Sequence, residues 1–364
     1  MRIAYLSAGI SIHDRRYLQK MVERGHQPFL ISFWHEPVKC DIPGVVFYHY
    51  PAKGYLTKLR KILYLKKLLR HIRPDVIHSG FLQTHGFIAA FAGNYPILSM
   101  PWGSDVLLLP QQSLFNKFAA KFVLNRAGII NCDCELVKKR ILELVKYDPE
   151  KIVVIPCGTD LKIFYPREPK KRNELGWQNN KVLIMTRNFM PVYGIEYFID
   201  ALPMITAQDH SIRVLMVGDG PLLNEMQKKV ANYGLNEKVH FTGSIGPEAM
   251  ADHLNAADIY VSTSLSDGTS VSLLEAMACR LAAVVSDLPA NREWIDDGVN
   301  GYIVPTHDSK ALAKKILELA ANEPVRKRMA ELSYKKVREK ADWDENFIKL
   351  EEMYKQICLE YSQQ

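Results

Sequence analysis

Short apolar runs alternate with helix-patterned segments from one end of this chain to the other. In the first half the runs fall at residues 2–7, 29–33, 45–48, 76–78, 97–100, 127–131 and 152–155; in the second they fall at 182–186, 212–217, 239–241, 259–261 and 283–285. Runs that are apolar throughout, instead of at every second residue, belong to strands covered on both faces. Strands of that kind separated by helices imply parallel sheets in an α/β, doubly wound architecture. Such sheets take their ligands at the carboxyl ends of the strands, so chemistry is expected in the turns that follow the runs.

The chain has 364 residues, more than one hydrophobic core usually serves, so two domains are expected. We place the first at residues 1–165, rejoined by 345–364, and the second at 166–344, with the Pro- and charge-rich stretch 166–176 as linker. Net charge is +7 and uneven: residues 1–165 carry 23 Lys and Arg against 12 Asp and Glu, or +11, and the remainder 24 against 28, or −4. The first half is therefore expected to meet an anionic partner. Its basic stretch 55–73 reads as an amphipathic helix, with Leu56, Leu59, Leu63, Leu68, Leu69 and Ile72 on one face and Lys58, Arg60, Lys61, Lys66, Lys67, Arg70 and Arg73 around the rest. That composition suits an anionic membrane surface. No helix-turn-helix, finger or RNA-binding signature accompanies the charge, so nucleic acid is not the expected partner. The apolar runs are too short to span a bilayer and the chain opens on a strand, which predicts a cytoplasmic protein, peripheral at most on the inner face of the membrane. Six scattered cysteines lack the paired spacing of a zinc site and are expected to be reduced thiols.

The segment 266–278 carries the most chemistry. The apolar run 259–261 leads through Ser266-Asp267-Gly268-Thr269-Ser270 into Val271, Ser272, Leu273, Leu274, Glu275, Ala276, Met277 and Ala278, whose apolar positions recur at helical spacing. Gly268 permits a sharp turn, and Thr269 or Ser270 suits a helix cap. The free N–H groups of residues 268–272 and the positive end of the helix then form an anion site, with the carboxylates of Asp267 and Glu275 placed to flank it. A sugar nucleotide needs this combination: N–H groups for its diphosphate and carboxylate acceptors for its hydroxyls.

An acidic residue, Gly268, a six-residue gap, Glu275 and the sequence Ala-Met-Ala resemble the paired-carboxylate signature of the retaining family 4 glycosyltransferases, which have the GT-B fold of two Rossmann-like domains. The resemblance implies that Asp267 lies near the donor sugar and that Glu275 holds the ribose. Further stretches extend it. Thr186-Arg187-Asn188 through Tyr193-Gly194 is similar to the segment in which an Arg and a Lys neutralise the donor diphosphate; Arg187 matches and Tyr193 stands at the lysine position. The turn Gly218-Asp219-Gly220 lacks the third glycine of a dinucleotide site and is similar to the family's nucleotide-pocket turn. Ile245, after Thr242-Gly243-Ser244, matches the loop that packs on the base. In the first half, Gly9 and His13 match the loop facing donor and acceptor, and Trp102-Gly103-Ser104-Asp105 resembles the family's His-Gly-x-Asp, with Trp102 in place of the histidine and Asp105 left as a polar contact.

The family's chemistry implies a metal-independent retaining hexosyltransferase of cell-surface polysaccharide, lipopolysaccharide or glycolipid synthesis. Its substrates would be a UDP- or GDP-linked sugar and a glycan or lipid-linked hydroxyl acceptor, without a cofactor. Arg187, Asp267 and Glu275 are the expected catalytic residues; Thr269, Ser270, Val271 and Ser272 join them around the donor. The family's C-terminal helix returns to the first domain. A nucleotide-sugar epimerase on the same fold is one alternative; a non-catalytic sugar-nucleotide-binding member, suggested by Trp102 and Tyr193, is the other.

Overall fold

The computed structural model describes residues 1–7, 11–35, 39–51 and 57–363. The chain divides into two compact units, Met1–Pro156 with Phe347–Gln364, and Cys157–Asn346.

Among the described residues the first unit holds a seven-stranded parallel sheet in the order β3-β2-β1-β4-β5-β6-β7. Its strands are β1 (Arg2–Leu6), β2 (Gln27–Ser32), β3 (Val46–His49), β4 (Val76–Gly80), β5 (Ile97–Met100), β6 (Ile129–Cys132) and β7 (Ile152–Val154). Central β4 is buried at every residue, as its continuous apolar run requires, whereas edge strand β3 is half-buried. The helix Trp343–Ser362 contributes its residues from Phe347 onward to this unit. Its apolar positions Phe347, Leu350, Tyr354 and Ile357 are buried, Tyr354 Oη shares a 2.5 Å hydrogen bond with His78 Nδ1 on β4, and Glu351 accepts from Arg24 at 2.5 Å and pairs with His26 at 2.7 Å.

The helix Thr57–Ile72 packs on the core from Ile62 onward, with Ile62 and Tyr64 half-buried against it. Leu65, Leu68, Leu69 and Ile72 are buried, while Leu59 and Leu63, expected on the same apolar face, are 50% and 59% exposed. Residues 55 and 56 of that predicted helix lie outside the described residues.

The second unit holds a six-stranded parallel sheet in the order β10-β9-β8-β11-β12-β13, with β8 (Lys181–Met185), β9 (Ile212–Val217), β10 (Val239–Gly243), β11 (Ile259–Ser262), β12 (Ala282–Ser286) and β13 (Gly301–Val304). The apolar runs did not signal β13. It pairs Gly301 with Ala283, and a Cβ at Gly301 would come within 2.8 Å of the Ala283 carbonyl, so the close pairing needs the residue that hides the strand's apolar pattern.

The boundary between units falls after Pro156, ahead of the expected linker. Residues 166–176 are part of the second unit: Arg167 N donates to Asn255 Oδ1 at 2.8 Å, and the Arg172 guanidinium pairs with Asp258 at 2.8 Å. Two of the charges that suggested a solvated linker, Arg167 and Arg172, thus have fixed partners. Among the described residues no helix is long and apolar enough to cross a membrane.

Candidate functional site

In the second sheet the strand order turns back between β8 and β11, the point at which doubly wound sheets take ligands. The turn leaving β8 carries Arg187, and the turn leaving β11 carries Asp267 through Ser270. Ser270 caps the helix Val271–Ala278, its hydroxyl accepting from Leu273 N at 3.3 Å, so Ser270 and not Thr269 is the cap. Six of the eight residues of this helix are buried, which fixes it against the sheet; Val271 and Glu275, one turn apart, form its half-buried side. Glu275 also lies one turn before Cys279, whose thiol is pushed up to about 12 by burial and then by the Glu275 charge.

The Arg187 side chain, 9% exposed, organises this point. Its Nη1 donates to Ser270 Oγ and Ser272 Oγ, each at 3.0 Å, and its Nη2 donates to Asp267. Tyr260 on β11 donates its hydroxyl to Ser272 Oγ at 3.1 Å. The guanidinium lies over the Tyr193 ring, 4.0 Å from the centroid. Burial works against the Arg187 charge, but the Asp267 carboxylate with Tyr260 and Tyr193 together outweigh it and hold the group above its usual range. Burial likewise pushes the Asp267 carboxyl up, and Arg187 offsets only part of that. Arg187 Nε and the neighbouring Thr186 hydroxyl are buried with no hydrogen-bond partner among the described residues. A buried N–H without an acceptor costs about 1–3 kcal/mol, so the cluster holds hydrogen-bonding capacity that its own side chains do not use.

Glycines let three other turns close on this cluster. Gly218 has φ +137°, and a Cβ there would collide with the Arg187 carbonyl; at Gly220, φ +153°, it would come within 2.7 Å of the Phe189 carbonyl. The turn after β9 thus lies directly on the backbone of residues 187–189, and Phe189 N donates to Asp219 O at 2.9 Å. Gly218 N donates to Gly243 O at the end of β10. Gly194, φ +54°, leaves no room for a Cβ beside the Thr263 carbonyl at 2.5 Å, and Thr263 Oγ1 donates to Tyr193 O at 3.2 Å, which pins Tyr193 to the end of β11. Ile245, in the loop after β10, packs against the apolar cluster containing Leu273 and Leu274.

In the first unit the order turns back between β1 and β4. His13, near the start of the helix Ile12–Glu23, lies 5.5 Å, ring to ring, from Trp102, and a Cβ on Gly80 at the end of β4 would collide with the Trp102 indole. The two residues therefore meet at this strand end. Asp105, expected to be a polar contact for the donor, is fully buried: its carboxylate accepts from Leu82 N at 3.0 Å and Trp102 N at 2.9 Å. Burial pushes its carboxyl up to about 6. These bonds fix the Trp102 turn. Gly9 lies outside the described residues.

Sequence comparison bears on this arrangement directly. The profile described as Glycosyltransferase Family 4 matches residues 8–163, and that described as Glycosyl transferases group 1 matches residues 167–336. The chain belongs to the family 4 glycosyltransferases. It is 24% identical over 361 residues to an uncharacterized glycosyltransferase of Methanocaldococcus jannaschii, covering 96% of this chain and 95% of the relative. It is 22% identical over 316 residues to a subunit of the phosphatidylinositol N-acetylglucosaminyltransferase of Saccharomyces cerevisiae, covering 82% and 69%. The crystal structure of Anabaena HepE in complex with UDP and glucose superposes with a TM-score of 0.83 at 20% identity, over 98% of this chain and 100% of that one. The fold is GT-B.

Sequence reasoning missed Tyr260 and the side-chain role of Ser270 and Ser272. A tyrosine inside a fully buried apolar strand needs a partner for its hydroxyl, and that was the available signal.

Proposed function

We propose that this glycosyltransferase moves a hexosyl unit from a nucleotide sugar to a hydroxyl acceptor with retention of anomeric configuration and without a metal ion. The observation that carries the reading is the pair of unsatisfied buried groups at Arg187 Nε and Thr186 Oγ1, beside a serine-capped helix start at the β8/β11 crossing. Arg187 and the N–H groups of residues 268–272 would take the charge that grows on the departing diphosphate, which is the largest electrostatic demand of the reaction. Glu275 would accept from the ribose, and Asp267 would face the sugar once the diphosphate has replaced it at Arg187. The departing phosphate takes up the acceptor proton, and the chain's contribution is positioning and charge stabilisation.

UDP is the favoured carrier because HepE binds UDP and glucose. The lipid acceptor named in the yeast relative supports a role in glycolipid or polysaccharide synthesis. Peripheral attachment to the inner face of the membrane fits the same reading: Leu59 and Leu63 are exposed beside Arg60 and Lys67, and Leu114 and Phe118 are 87% and 59% exposed on the helix Leu114–Arg126. The test is to incubate the protein with labelled UDP-, GDP-, ADP- and dTDP-sugars and a lipid-extract acceptor, and to read product anomer by NMR with and without chelator. A retained anomer made in the presence of chelator is expected; an inverted product or chelator-sensitive transfer would reject the reading.

A further inference from the structure

A cavity of about 220 Å³ lies wholly within the first unit, where the segments following β2 and β4 meet. Its walls are the rings of Phe33, Trp34 and Phe87 with Ile88, and Lys58, Lys61 and Gln83 also line it. Three features distinguish it from a packing gap. Gln83 is 8% exposed, and its Nε2 donates to the Asp105 carbonyl at 2.7 Å; this fixes the amide and leaves Oε1 buried with no donor. Lys61 Nζ donates only to the Phe33 carbonyl, at 2.8 Å, and Lys58 Nζ sits on aromatic faces, 3.7 Å from the Phe115 centroid and 5.2 Å from that of Phe87. Among the described residues neither lysine has a carboxylate partner, and His85 beside them is kept neutral, burial first and then the Lys61 charge lowering it to about 4. Burial also lowers both ammonium groups.

Two cations and one hydrogen-bond acceptor around an aromatic pocket define a ligand class. We propose that this cavity seats the end of the acceptor that carries an apolar or ring-shaped group next to a phosphate or carboxylate. The anion lies against Lys58 and Lys61, the apolar part fills the space between Phe33, Trp34 and Phe87, and a hydroxyl donates to Gln83 Oε1. Calling this ligand the acceptor rests on the glycosyl-transfer reading; the cavity's chemical preference does not.

The probe is hexyl phosphate, titrated calorimetrically into the full chain beside hexanol and inorganic phosphate, with UDP titrated into the same samples. Hexyl phosphate should bind at least tenfold more tightly than either half alone. The double variant Lys58→Gln/Lys61→Gln should weaken it at least tenfold, Thr84→Trp at the exposed mouth should abolish it, and both should keep wild-type melting temperature and UDP affinity. Equal binding of hexyl phosphate and hexanol, or undiminished binding in both variants, would overturn the proposal. UDP binding without hexyl phosphate binding would remove the cavity site and leave the transferase reading standing. The reverse would confirm the cavity's ligand class and count against the transferase.

Discussion

The Arg187 guanidinium rests on the ring of Tyr193, 4.0 Å from its centroid, at the position where the family's lysine is expected. The ring supplies no charge of its own but holds the remaining cation face-on in a desolvated site, where such a contact is worth about 2 kcal/mol. Tyr193→Ala should therefore weaken nucleotide-sugar binding by about 30-fold. Tyr193→Phe keeps the ring and should stay within about threefold of wild type. Calorimetric titration of both variants decides it, and equal losses in the two would show that the hydroxyl, not the ring, matters.

Asp267 neutralises Arg187 in the unliganded site, so removing it leaves a buried cation short of a partner. Asp267→Asn should cost about 3 kcal/mol of stability. A diphosphate would supply the missing charge, so saturating UDP should raise the melting temperature of the variant by more degrees than it raises that of wild type. Thermal unfolding with and without UDP measures both effects; equal shifts would mean that the diphosphate does not reach Arg187.

The glycines of the β9 turn are not interchangeable with other left-handed glycines of the same unit. Gly218→Ala places a methyl group against the Arg187 carbonyl, whereas Gly234→Ala at φ +69° meets nothing within 4 Å. The first should destabilise by about 3 kcal/mol or more and abolish donor binding, and the second should cost about 1 kcal/mol with binding intact. Denaturant titration of the two variants, followed by UDP binding, provides the comparison.

Much of this site was legible because its signals are local. Gly268, the serine cap and the apolar face of residues 273–278 lie within one strand–turn–helix unit, so spacing alone places them. What stayed hidden depends on residues far apart in sequence. The anchoring of Asp105 shows only once the backbone N–H groups of Leu82 and Trp102 are brought to it. Strand β13 was obscured by the glycine its pairing requires, and the solvent-exposed turns of the basic helix by a leucine spacing that continues beyond the core it packs on. That residues 166–176 pack on the second unit was hidden because the partners of Arg167 and Arg172 come from residues 255 and 258.

Acid should weaken the first unit in a defined window. His78 and His85 are lowered by burial to about 3 and about 4, so they stay neutral in the fold while the unfolded chain protonates near 6.5. The unfolded state then binds more protons, and stability falls as pH drops from about 6.5 towards 4. Replacing both histidines with glutamine should flatten the slope of unfolding free energy between pH 6.5 and 4. An unchanged slope would mean that neither ring is buried neutral.

The most direct test of the account compares UDP with uridine, by calorimetry, on wild type and on Arg187→Gln. If the β8/β11 crossing is the diphosphate site, UDP binds wild type far more tightly than uridine does, and Arg187→Gln, although it lowers the melting temperature by unpairing Asp267, removes most of that difference while uridine binding changes little. An undiminished preference for UDP in Arg187→Gln would place the diphosphate elsewhere and contradict the account.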